Sequence, residues 1–228
     1  MRKDVLAAVS ALAISSGAAF AAQAAPAMPA PVFSWTGCYV GVHAGGDWGH
    51  SDWDNVPTFG SVGINTSGGI YGAQAGCNYQ MQSFVIGGEA EIWGSSLSGT
   101  TNLLGPEGAY AFKAKSDLAG DLAVRAGWAL NNVLLFGKLG VAWAHYKFEA
   151  DYPFVGSPDT GAGDYTGLLL GLGAEVALDS HWSLKGEYDY IDYGSKSIPF
   201  YTRYGAYDFT ASIHNTENIL KAGVNFRF

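Results

Sequence analysis

The chain has 228 residues, of which only 14% are charged; its net charge is −8, and it carries 13 Tyr, 12 Phe and 7 Trp beside 32 Gly. Low charge with many aromatics excludes intrinsic disorder, which requires the reverse. An acidic balance without any basic stripe excludes a binder of the phosphate backbone, so no nucleic-acid partner is expected.

The first residues have the layout of an export signal. Met1, Arg2 and Lys3 precede an apolar run from Val5 to Ala21. Ala22-Gln23-Ala24 then offers a small-residue cleavage site, with Ala19-Phe20-Ala21 as another. The expected organisation is a signal peptide over 1–24, an Ala/Pro-rich leader over 25–34 and one domain over 35–228. An exported chain with two cysteines, Cys38 and Cys77, is permitted a disulfide.

From Trp35 onward the pattern has a period of two, and it recurs in segments of about ten residues. The first segment sets Cys38, Val40, Val42, Ala44 and Trp48 against Tyr39, His43 and Asp47. The second sets Tyr71, Ala73, Ala75, Cys77 and Tyr79 against Gln74 and Asn78, and the third sets Phe84, Ile86, Ala90 and Ile92 against Glu89 and Glu91. Next, Leu118, Leu122, Val124 and Trp128 oppose Asp121 and Arg125; Val133, Leu135, Leu139, Val141 and Trp143 oppose Lys138. Leu168, Leu170, Leu172 and Val176 oppose Glu175; Trp182, Leu184, Tyr188 and Tyr190 oppose Lys185, Glu187 and Asp189. The eighth segment closes the chain, with Leu220, Val224, Phe226 and Phe228 opposite Lys221, Asn225 and Arg227.

Segments two and three, four and five, and six and seven are joined by the tight turns QMQ, LNN and DSH. The other connections, Gly49 to Ser67, Ser95 to Ser116, Lys147 to Asp164 and Gly194 to Tyr207, read as long loops. Short turns at one end and long loops at the other are the pattern of an all-β, eight-stranded antiparallel up-and-down transmembrane β-barrel of the bacterial outer membrane. Aliphatic residues in mid-segment with Trp and Tyr near the ends place the apolar faces in lipid, between two aromatic girdles.

The polar faces must then fill the lumen. Glu89, Glu91, Asp121, Arg125, Lys138, Glu175, Lys185, Glu187, Asp189 and Lys221 lie about three to eight residues from the tight-turn end, in a band about 10–25 Å tall. An isolated buried charge is too costly to keep, so these are expected to pair, Glu89 and Glu91 with Arg125, and Lys138 and Lys185 near Glu175. Such a network plugs an eight-strand barrel, whose interior is only as wide as side chains; a gated ion path is the functional alternative. Cys38 and Cys77 fall at similar height on the outward faces of adjacent antiparallel segments. A disulfide between them near the periplasmic rim is expected, with two free thiols as the alternative.

Enzymatic and cofactor chemistry finds little support. Gly161–Gly167 and Gly171–Val176 fail the dinucleotide pattern, the GSSLSG at Gly94 lacks the nucleophile-elbow register, and His43, His50, His145, His181 and His214 have no metal-ligand spacing. No catalytic residue, cofactor or metal is expected. Two rival readings name residues: a lipid A-modifying enzyme using His145 and Ser116, and haem or small-ligand binding through His50 or Tyr201, Tyr204 and Tyr207.

The stretches FSWTGCYVGVHAGGDWG, GGIYGAQAGCNYQ, VIGGEAEIWGS, LAVRAGWAL, LLFGKLGVAWA and LKAGVNFRF together resemble the small outer-membrane immunogenic proteins of alphaproteobacteria, which belong with the porin-family, OmpA-like barrels. The resemblance implies an integral outer-membrane protein with roles in envelope integrity and surface exposure, and some relatives are described as porins or haem binders. It brings no transferable catalytic residue. The ending, with Phe226 and Phe228 on one face, resembles the C-terminal signature by which the barrel-assembly machinery recognises its clients. Outer-membrane lipid and that machinery are the expected partners.

Overall fold

The computed structural model describes residues 33–106, 108–152, 158–202 and 204–228. The expected signal peptide and most of the leader lie outside the described residues. Among the described residues nine strands follow in chain order: β1 (Gly37–Val56), β2 (Gly60–Met81), β3 (Phe84–Ser95), β4 (Ser98–Gly105), β5 (Gly108–Leu130), β6 (Val133–Asp151), β7 (Asp159–Ala177), β8 (Trp182–Tyr201) and β9 (Tyr207–Arg227). Each pairs antiparallel with its neighbours, and β1 pairs with both β2 and β9. The sheet therefore closes on itself, which leaves no backbone edge to meet lipid.

The ring has eight positions although the strands number nine. Both β3 and β4 pair with β5, one above the other. They act as a single strand interrupted at Ser96 and Leu97, where Ser96 donates its N–H to Gly69 and Leu97 accepts from Ser116.

Every apolar face read from the sequence points outward. Val42, Tyr71, Leu122, Leu139, Leu172 and Leu220 are exposed, whereas the residues one step along each strand are buried. The exposed band covers about ten residues per strand, the length a tilted strand needs to cross hydrocarbon. Trp128 and Trp182 lie towards the short-turn end of this band, and Trp48 and Trp143 towards the other.

The long loops expected at the far end are largely strand. β1 and β2 continue to Val56 and from Gly60, and β8 and β9 to Tyr201 and from Tyr207. The alternation persists there, but its polarity inverts. Trp53, Phe112, Phe148, Phe200 and Ile213 point in and are buried, while Asp52, Lys115, Lys147 and Lys196 point out. The reason is the solvent. Beyond the bilayer the outer wall meets water, so the apolar residues move to the inside, as in a soluble barrel. A search for outward-facing apolar residues cannot see strands built this way.

Candidate functional site

The ten charged residues singled out in the sequence come from β3, β5, β6, β7, β8 and β9, and all are buried in the lumen. Arg125 is the pivot of the layer nearest the short-turn end. Its guanidinium donates to Glu175 at 2.8 Å, to Glu89 at 3.3 Å and to the Tyr39 hydroxyl at 2.6 Å, and its Cζ sits 3.9 Å from the Phe136 ring centre. Tyr39 donates in turn to Glu89 at 2.5 Å.

Three lysines occupy the next layer. Lys138 approaches Glu187 at 2.9 Å and Glu89 at 3.1 Å. Lys185 reaches across the full bore to Glu91 at 2.6 Å, and Lys221 binds Asp189 at 2.7 Å, Glu187 at 3.1 Å and Glu91. These partners differ from the simplest expectation. Lys185 is register-paired with Glu175, yet its ammonium turns to Glu89, Glu91 and Glu187, and Lys138 likewise leaves Glu175 to Arg125. In so narrow a barrel the opposite wall is as near to a long side chain as the adjacent strand.

Glycines on the inner face create that space. A Cβ on Gly171 would lie 2.2 Å from Asp189 Oδ1, and one on Gly41 would lie 2.2 Å from Asn225 Oδ1. The carboxylate oxygens of Glu89, Glu91 and Glu187, and those of Glu91, Asp121 and Asp189, converge within 4.8 Å, a spacing that suits a cation. Lysine ammoniums already approach both groups, from Lys138, Lys185 and Lys221.

Several residues of this site were not singled out in the sequence. Asn225 donates to Glu175 at 3.0 Å and accepts from Gln74, whose carbonyl oxygen meets His43 Nδ1 at 2.6 Å. Further from the turns, Glu217 accepts from the Tyr146 and Tyr193 hydroxyls, and Asp47 is buried nearby. Each has the parity of its strand's inner face. That parity was the available signal, and only the height limit left Asp47 and Glu217 out.

Apolar layers bound the polar lumen on both sides. At the far end Trp53 packs edge-on against Phe112 (5.8 Å) and Phe148 (5.3 Å) and lies 5.3 Å from Phe200, which stacks on Phe209 at 4.6 Å. At the short-turn end Trp35 folds beneath the barrel with Val85, Leu134 and Phe136. Arg227 lies over Trp35, 4.8 Å from its ring centre, and donates to Ser34 O at 3.0 Å.

The other candidates are placed as follows. Cys38 and Cys77 are register partners on β1 and β2, joined by an S–S bond of 2.06 Å near the short-turn rim. Phe226 packs against Trp182 at 5.0 Å, and Phe228 stands exposed at the same rim. Ser116 is buried inside the wall, whereas the His145 ring lies outside and bonds Asp164 at 2.7 Å. These two do not form a nucleophile–base pair, because register sets Ser116 opposite Tyr146 and thereby puts His145 on the other face. His50 spends both nitrogens on Asn65 and Asp52. Tyr201 and Tyr207 are register partners with rings 6.3 Å apart, and Tyr204 lies in the connection between them.

Comparison with known proteins agrees with this architecture. A family model described as "Outer membrane protein beta-barrel domain" matches residues 7–228. The 31 kDa outer-membrane immunogenic protein of Brucella melitensis biotype 1 is 32% identical over 219 residues, covering 87% of this chain and 90% of its own. The 25 kDa outer-membrane immunogenic protein of Brucella abortus biovar 1 is 30% identical over 190 residues, 80% of each chain. Among solved structures, the outer membrane protease OmpT from Escherichia coli superimposes with a TM-score of 0.54 over 86% of this chain and 98% of its own; at 12% identity this likeness is one of fold alone. The chain belongs to the outer membrane protein beta-barrel domain family and is a protein of the outer membrane.

Proposed function

We propose that the protein is a closed, non-conducting barrel with a structural and surface-presenting role in the cell envelope, and that it is not an enzyme. The observation that carries this reading is the sealing of the lumen. An aromatic layer around Trp53 lies on one side of the charge network and the Trp35 layer on the other, and the side chains of both are buried. An ion crossing this bore would exchange its hydration shell for aromatic carbon, at a cost that apolar packing cannot offset.

The charge network then plugs the barrel and ties its walls together. Outer-membrane lipid solvates the apolar belt, and the assembly machinery is the partner that would read Phe226 and Phe228. Single-channel recording of refolded protein in a planar bilayer tests the reading. No resolved conductance steps are expected; a steady open level would return the protein to the small porins.

A further inference from the structure

The charges on the outer wall are not spread evenly. Among the described residues the outward-facing lysines are Lys113 and Lys115 on β5, Lys147 on β6 and Lys196 on β8, all on the far side of the apolar belt. Lys115 and Lys147 are direct register partners on adjacent strands. Like charges set opposite one another on a sheet repel, and the arrangement is unfavourable unless an anion lies between them. A bulge between Ser116 and Ala119 interrupts the β5–β6 register just below, and both Asp117 and Leu118 are exposed there.

The height of the pair matters as much as its charge. Lys147 stands four residues beyond the girdle residue Trp143, about 13 Å along the strand, or about 10 Å along the membrane normal at a 40° tilt. Lysine side chains near an interface bend towards it, keeping their stems on apolar surface and their ammoniums at headgroup level. Two carboxylates compete nearby: Asp117 pairs with Lys147, and Glu149 pairs with Lys113 at 3.3 Å. The Lys147 pair is exposed and the Lys113 pair half-buried, so both still meet water and are of the weak kind. A phosphate monoester offers more charge and three acceptor oxygens, and so exchanges readily with them. Lys115 has no carboxylate within ion-pair distance among the described residues.

We infer that Lys115 and Lys147, with Lys113 beside them, form a binding site for the phosphates of a phosphorylated glycolipid in the outer leaflet, its acyl chains lying along the belt below Leu118 and Trp143. Lys196 lies apart on β8, where it donates to Asp164 O at 2.7 Å, and serves as an internal control.

The test uses refolded full-length barrel in phosphatidylcholine nanodiscs doped with lipid A or with lipid A stripped of its phosphates. Retained lipid is counted by native mass spectrometry. Wild-type protein is expected to retain lipid A and not the stripped form. Lys115→Gln with Lys147→Gln should weaken retention about 25-fold, at roughly fivefold per lysine beside an anionic headgroup. Lys115→Gln alone should cost about fivefold and Lys196→Gln nothing. Both substituted lysines are on the outer wall, so heat-modifiable migration on gels should report a folded barrel for every variant; if the double variant fails to fold, the single one carries the test. Equal retention by wild type and Lys115→Gln, or equal retention of the stripped lipid, would overturn the assignment. So would lysine-dependent binding of a soluble sulfated polysaccharide in detergent that matches lipid A in strength, since the patch would then serve a soluble polyanion.

Discussion

Replacing Arg125 by Met tests whether the interior is held by its ion pairs. The guanidinium is the cation that faces Glu175, at 2.8 Å, and its plane lies on Phe136 with Cζ 3.9 Å from the ring centre. Met fills much of the same volume and leaves the Phe136 contact partly in place. What it removes is the charge opposite a fully buried carboxylate that, among the described residues, keeps Ser183 at 2.6 Å and Asn225 at 3.0 Å. Breaking one member of a buried pair costs about 3–5 kcal/mol, because the survivor is left uncompensated. Glu89 adds little to this figure, since Lys138 at 3.1 Å and Lys185 at 3.2 Å still serve it. Pairing Arg125→Met with Glu175→Gln removes the orphan charge and should recover at least about 2 kcal/mol, in line with the near-neutral replacement of whole buried pairs. Urea unfolding of the barrel in lipid vesicles, followed by tryptophan fluorescence, reads both quantities. A single-variant cost below about 1 kcal/mol, or a double variant that is merely the sum of the singles, would refute the reasoning.

Three further outcomes are expected. Trp53→Ala should leave a cavity among Phe112, Phe148 and Phe200 and cost about 3–5 kcal/mol, visible as faster proteolysis of the extended hairpins while the membrane belt stays folded. Asp159, beyond the membrane at the start of β7, is pushed up to about 6, by burial first and then by the Asp208 carboxyl beside it. Its protonated form favours the folded cap, so its contribution is complete below the unfolded value of 3.8 and is lost as pH rises through about 6. Protease resistance of the cap should therefore fall between about pH 3.8 and about pH 6 in wild type, level off above that, and stay flat throughout in Asp159→Asn; a parallel fall in both would exclude Asp159 as the cause. Reducing the Cys38–Cys77 bond releases a loop closed over a separation of 39 residues, worth up to about 4 kcal/mol of unfolded-chain entropy. Refolding yield with and without reductant measures it, and equal yields and unfolding midpoints would count against any such contribution.

The membrane half of this fold was legible because hydrocarbon imposes a severe rule. Each strand must show about ten residues of apolar parity outward, and one run such as Leu168, Leu170 and Leu172 already fixes which side is lumen. The inner parity then named Glu89, Arg125 and Lys221 without further information. Partners were less legible. Register places Glu175 opposite Lys185, but side-chain reach across the bore decides that Glu175 binds Arg125. The outer extensions were not legible as strands, because Asp52-Trp53-Asp54 and Lys147-Phe148-Glu149 show polar residues on the face that lower down is apolar. Parity was continuous through the change of solvent; polarity was not. The apolar layers at the two ends of the polar lumen escaped notice for the same reason, since Trp35, Trp53 and Phe148 count as lipid-facing until their parity is followed.

Continuity of parity also explains what the charge network contributes beyond filling space. A one-residue slip of β8 against β9 would carry Lys185, Glu187 and Asp189 from lumen to lipid. Lys185 alone would then cost about 2–4 kcal/mol near the bilayer midplane. A correctly registered but open sheet does not satisfy the charges either. Glu91 on β3 is held by Lys185 on β8 and Lys221 on β9, and Arg125 on β5 by Glu175 on β7. Glu91 stands several strands away from these partners in sequence and meets them only when β9 docks on β1 and the bore becomes narrow. Apolar alternation admits any even-numbered slip; the ion pairs admit only the closed ring in one register. Their worth therefore lies less in net stability, which a buried pair scarcely adds, than in the alternatives they make untenable.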